Sequence, residues 1–347
     1  MRLDAWPIGW PPGASMPDAS NRDIVGADVN AAETSWRERL RISLERVIGS
    51  QSLANDTILA AVSGGPDSLA LLIGLDALMP GRVRAATVDH GLRPESAEEA
   101  CFVARICAAR DIEHKILSPA DPITGNIQSS ARAARYALLE ADADDRQCHW
   151  IATAHHADDQ LETVLMRLAR SSGVAGLAGI RARSGRRIRP LLGFRKSALV
   201  AVCGDAGVSP IADPSNRDPA FDRVRMREAL RAFDGIDPLA AVRSAEALAD
   251  ADEALDWVVT REFAQSVTCE PDAVLLDPSD YPRELRRRLV LRCLAVMEPS
   301  LVPRGATLDR LIDALERDQQ AMVGDVLCKG GSHWRFAPAP ARRFKHI

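Results

Sequence analysis

Ser63-Gly64-Gly65-Pro66-Asp67-Ser68 is a turn of the kind that receives an anion. Its adjacent glycines let backbone N–H groups approach phosphate oxygens, and a helix starting directly after them adds the positive end of its dipole. It is not the Walker loop, because no Gly-Lys-Ser/Thr follows. Asp67 inside this turn would repel phosphate unless a divalent cation bridges the two. A second stretch, His155-His156-Ala157-Asp158-Asp159-Gln160-Leu161-Glu162, gathers two imidazoles and three carboxylates. Asp159 and Glu162 sit three apart, on one helix face. Acidic capping of a helix start accounts for Asp158 but not for the whole run. A metal centre is one alternative; contact with substrate and Mg²⁺-nucleotide fits better. A third, Ala131 to Tyr136, puts Arg132 and Arg135 on one face, where spacing weighs equally for surface charge and for anion contact.

Alternating strands and helices must position these groups. Ile58–Val62 is an unbroken apolar run, the pattern of a strand buried on both faces of a parallel sheet, and Leu69–Leu78 returns apolar residues at helical spacing. Further strands are expected at Val83–His90, Glu113–Leu117 and Trp150–Ala154. Helices are expected at 36–48, 95–110, 126–140, from Asp158 and at 195–206, with an extended segment at 189–194. Polar residues at the ends of such strands, His90 among them, lie where open α/β sheets place ligands. After about Gly235 the alternation stops. Helical periodicity at 238–263, 284–297 and 307–319, with a hairpin over 323–336, predicts a smaller, mainly helical domain. Three regions are therefore expected: 1–35, proline-rich and disordered; 36–234, carrying the chemistry; and 235–347.

The net charge of −4 argues against a non-specific nucleic-acid binder, but its distribution does not. Thr163–Gly204 holds nine basic residues and no acid, including Arg170, Arg181, Arg183, Arg186, Arg187 and Arg195, which favours phosphate contact over a merely exposed loop. Seven cysteines without a CxxC pair speak against a disulfide framework and a clustered metal site. No apolar run has membrane-spanning length and no signal pattern opens the chain, so a cytoplasmic protein without a membrane partner is expected. A homodimer stays open.

The string SGGPDS resembles the SGGxDS loop of the N-type ATP pyrophosphatases, which split ATP into AMP and pyrophosphate. With VDHGLR, ARAARY, TAHHADDQLET, RSSGVAGLAGI, RPLL and DPSN following in order, residues 55–230 resemble the tRNA(Ile)-lysidine synthase family. The resemblance implies an α/β fold: a parallel-sheet, adenine-nucleotide α-hydrolase-like (PP-loop ATPase) domain with a smaller, mainly helical C-terminal domain that contacts tRNA. It implies ATP and Mg²⁺ as cofactors, and tRNA(Ile) with a CAU anticodon and free L-lysine as partners. The implied reaction adenylates C2 of the wobble cytidine; lysine then attacks, giving lysidine, AMP and pyrophosphate. Ser63, Gly64, Gly65, Pro66, Asp67, Ser68 and His90 would hold ATP and the departing pyrophosphate, with Asp67 reaching Mg²⁺. Arg132 or Arg135 would supply a catalytic guanidinium, Asp159 and Glu162 would hold lysine, and the arginine block would face the tRNA. Another PP-loop enzyme, such as a tRNA thiolase, is the next reading, and a catalytically silent tRNA-binding protein the third.

Overall fold

A computed structural model of the chain describes residues 35–91, 96–120, 127–211, 222–231, 235–278 and 280–340. The extension expected to be disordered over 1–35 lies outside these residues except for Ser35, and the DPSN stretch lies outside them entirely. The described residues fall into two compact units, one within 1–156 and 182–214, the other within 157–181 and 215–347.

In the first unit, strands β1 (Ile58–Ala61), β2 (Val83–Val88), β3 (Glu113–Leu117), β4 (Trp150–Ala152), β5 (Arg183–Ser184) and β6 (Arg187–Ile188) form one sheet in the order β3-β2-β1-β4-β6-β5. All neighbours are parallel except β5 and β6. The chain runs outward from β1 to β3 and returns on the other side at β4. The crevice between the carboxyl ends of β1 and β4 is thus the topological switch point, where such sheets bind ligands. Helices α1 (Trp36–Ile48), α2 (Ser50–Asn55), α3 (Pro66–Leu78), α4 (Ser96–Ala108) and α5 (Ile127–Asp145) belong to the same unit, as does a later helix at Lys196–Asp205. The α3 sequence is apolar all round, so it is buried all round. Leu69, Leu71, Leu72 and Leu75 are fully buried, each contributing about 2 kcal/mol. That burial fixes the turn that precedes the helix.

The second unit holds α6 (Ala157–Leu168), the short α7 (Val174–Leu177), α9 (Asp222–Arg231), α10 (Pro238–Ser266), α11 (Arg283–Met297) and α12 (Gly305–Leu315); Lys196–Asp205 is α8. Its core joins Val259, Leu289, Leu294, Ile312 and Phe336. The hairpin expected over 323–336 is part of a five-stranded antiparallel sheet of β7 (Val267–Glu270), β8 (Ala273–Leu276), β9 (Gln320–Val323), β10 (Val326–Lys329) and β11 (Trp334–Pro338), in the order β7-β8-β11-β10-β9. Strands β7 and β8 escaped the periodicity because each is four residues long. The segment at 189–194 is not extended: a tight hairpin around Gly185 (φ 59°) uses 183–188, and 190–193 are turns.

Candidate functional site

The loop after β1 is tied by its own serines. The Ser68 hydroxyl accepts from the Ser63 amide at 3.1 Å and donates to the Gly65 carbonyl at 3.0 Å. Gly64 is in the left-handed region at φ 86°, and its carbonyl accepts from the Ile211 amide at 3.0 Å. A Cβ there would lie 3.2 Å from Ile211 Cδ1, so backbone conformation and space both select glycine. Gly65 is the N-cap of α3 and Pro66 its first residue; no side chain caps this helix start. Its amide end is accordingly open to an anion in place of a cap.

Asp67, in the first turn, points toward the end of β4. Its Oδ2 lies 3.5 Å from His156 Nε2 and 3.8 Å from Lys196 Nζ. Its Oδ1 is buried with no hydrogen-bond partner, a carboxylate oxygen left for a cation. His156 is buried, and Thr153 Oγ1 meets His155 Nδ1 at 3.1 Å. Sequence reasoning named neither His156 nor Lys196 as a site residue. The repeated histidine at a strand end carried a signal for the first. Nothing local flagged the second, because Lys196 reaches Asp67 only through the fold. Cys203 on α8 donates to the Pro66 carbonyl at 3.3 Å, and burial pushes its thiol up to about 11, so it acts as packing beneath the loop.

At the end of β2, Asp89 accepts from the Ser96 hydroxyl at 2.6 Å and the Gly91 amide at 2.8 Å, which with the neighbouring His90 hold its carboxyl below the usual range. Both ring nitrogens of His90 are buried and unpartnered. Burial first, then the positive charge of Arg135, lowers the His90 pKa, with Asp89 opposing. The two candidate arginines of α5 are thereby separated. Arg135 acts on His90, whereas Arg132 stacks over the Tyr136 ring at 5.1 Å, with Nη2 3.4 Å from its hydroxyl.

In the second unit, Glu162 is buried on α6 and bound in a fork by Arg227 of α9, at 2.7 and 3.1 Å. Arg223 Nε is 3.3 Å from the same carboxylate and its Nη2 donates to Thr163 Oγ1 at 3.1 Å. Asp159 Oδ1 lies 4.0 Å from Arg227 Nη2. The two carboxylates expected from sequence therefore do share a face, but as half of a cluster with two guanidiniums. Arg223 and Arg227 lie 61 and 65 positions beyond Glu162 in the sequence, and no local spacing marks them as its partners.

The one-signed basic block is compensated by acids from distant parts of the chain. Arg186 pairs with Asp144 and lies 3.8 Å from Glu140; Arg187 lies 3.6 Å from Glu140 and stacks over Tyr136 at 4.7 Å. Arg183 stacks over Trp150 at 4.5 Å, Arg181 pairs with Asp252, and Arg189 is buried. Arg170 and Arg195 are exposed. Among the described residues there is no group of three or more His, Cys, Asp or Glu placed to hold a metal ion.

Residues 37–232 match the PP-loop domain family. A tRNA(Ile)-lysidine synthase of Zymomonas mobilis is 42% identical over 82% of this chain and 88% of its own length. One from Rhodopseudomonas palustris is 39% identical over 84% and 92%. Among solved structures, a U34-tRNA thiolase of Methanococcus maripaludis with its [4Fe-4S] cluster shares the fold. Its TM-score is 0.50 at 19% identity, covering 61% of this chain and 78% of that one.

Proposed function

The chain belongs to the tRNA(Ile)-lysidine synthase family, and we propose that it joins free L-lysine to the wobble cytidine of the CAU anticodon of tRNA(Ile) at the expense of ATP. In the first step the C2 oxygen of that cytidine attacks the α-phosphorus of ATP, and the bond to the pyrophosphate oxygen breaks. In the second the lysine side-chain amine attacks C2, the oxygen leaves with AMP, and the amine gives up its proton. Charge develops on phosphate oxygens throughout the first step, so catalysis there calls for N–H donors and cations in fixed places.

The observation that carries this reading is the open, serine-stapled loop before α3, with the unpartnered Oδ1 of Asp67 in its first turn. Ser63, Gly64, Gly65, Pro66 and Ser68 present the phosphates with the helix end. Asp67 would hold Mg²⁺, which neutralises charge on the phosphates when bound. Lys196 and Arg135 add fixed positive charge, and the unpartnered His90 ring offers nitrogen atoms to the nucleotide. Two carboxylates beside two guanidiniums are the complement of a zwitterionic amino acid. Asp159, with Glu162, takes an ammonium group, while Arg223 and Arg227 answer the carboxylate. The exposed Arg170, Arg183 and Arg195 of the basic block face RNA phosphates, so tRNA affinity falls with added salt, whereas Arg181, Arg186 and Arg187 are paired with acids of the chain itself. A cytoplasmic setting goes with this substrate, and no described helix is long and apolar enough to cross a membrane. A homodimer is compatible with it.

Pyrophosphate release tests the substrate. With ATP, Mg²⁺ and tRNA(Ile) bearing CAU, release is expected without lysine. The same transcript with its wobble cytidine changed to uridine should bring release to background. Equal release from both transcripts would overturn the assignment of the target base.

A further inference from the structure

Gln160 lies between the two acids of α6 and is almost wholly buried, at 2% exposure. A buried side-chain amide needs partners for both its ends. Gln160 finds them on a single residue: its Oε1 accepts from the Ile180 amide at 2.7 Å, and its Nε2 donates to the Ile180 carbonyl at 3.2 Å. This is the pairing that a neighbouring strand would make, supplied by one side chain. Gly179, just before, is at φ 63°, and a Cβ there would stand 2.6 Å from Gln160 Oε1. Arg181, just after, pairs with Asp252 of α10, which is held in turn by Arg288 of α11 at 2.6 Å. Residues 179–181 are thus pinned to α6 on one side and to α10 on the other.

We propose that Gln160 is a positioning residue, whose double bond to Ile180 keeps the helix bearing Asp159 and Glu162 in register with the RNA-facing segment 170–181. The inference rests on the function proposed above, since it takes α6 as the lysine helix and that segment as an RNA contact. RNA that meets the segment then finds it already ordered. Without the clamp, binding has to order it first, and apparent affinity falls while the chemistry of the bound state survives.

Gln160→Met keeps size and removes both hydrogen bonds; Gly179→Ala pushes the segment off Gln160 from the other side. In full-length protein, each is expected to raise the KM for tRNA(Ile) about tenfold, with kcat at saturating tRNA and the KM for ATP within about twofold of wild type. A purely structural role would reduce the active fraction, lowering kcat at unchanged KM. Unchanged KM for tRNA in both variants, or kcat falling with KM unmoved, overturns the proposal. If Gln160→Met does not fold, Gly179→Ala alone decides. Wild-type protein that forms no lysidine would instead remove the function on which the inference rests.

Discussion

Asp67→Asn is expected to reduce tRNA-dependent pyrophosphate release at least about 100-fold, the scale on which single electrostatic groups act at developing charge. The substitution keeps the shape of the side chain and removes its charge. Oδ1 has no protein partner to lose. Oδ2 faces the buried His156 Nε2 at 3.5 Å, toward which an amide oxygen can still accept, and Lys196, which is 45% exposed and hydrates readily once its partner is neutral, so the fold should persist with little change in Tm. The loss therefore belongs to catalysis rather than to stability. Excess Mg²⁺ should recover only part of it, because the amide oxygen is a weaker ligand for a hard cation. Near-normal release at saturating Mg²⁺ would take Asp67 out of the adenylation step.

Asp159→Asn should separate the two half-reactions. The side-chain amine of free lysine is protonated at neutral pH, with an ordinary pKa of about 10.4, so its site needs a carboxylate. Asp159 Oδ1 lies 4.0 Å from Nη2 of Arg227, whereas both oxygens of Glu162 are bonded to that guanidinium. Substituting Glu162 would remove the buried carboxylate that both Arg223 and Arg227 meet, which mixes stability with binding. Asp159 is the cleaner probe. Losing a partly buried charge pair with the ligand costs about 3 kcal/mol, or roughly 100-fold in the lysine requirement. Pyrophosphate release without lysine should stay within about twofold of wild type. Equal loss of both half-reactions would assign Asp159 to the nucleotide; loss of neither would mean that the lysine site is elsewhere.

The nucleotide half of this account was legible in the sequence because its signals are local. An apolar run, two glycines and a helical period follow one another between Ile58 and Leu78, and backbone chemistry leaves them few alternatives. The carboxylate pair was legible for the same reason: Asp159 and Glu162 are neighbours by helical spacing. What was hidden is non-local. Lys196 reaches Asp67, and Arg227 reaches Glu162, only after the chain has folded back on itself. The basic block shows the limit most clearly. Its one-signed composition pointed to a polyanion, yet Glu140, Asp144 and Asp252 come from other helices to pair with Arg186, Arg187 and Arg181. Local charge is a poor guide to net field wherever distant acids can return.

The central claim is that this chain attaches lysine to one cytidine. Its most direct test is nucleoside mass spectrometry of tRNA(Ile) with a CAU anticodon after incubation with the protein, ATP, Mg²⁺ and isotopically labelled L-lysine. The wobble cytidine is expected to gain the mass of one labelled lysine less one water, only when ATP is present, with other cytidines unchanged. Pyrophosphate release with an unmodified wobble cytidine, or a wobble nucleoside that gains sulfur in place of lysine, would contradict it.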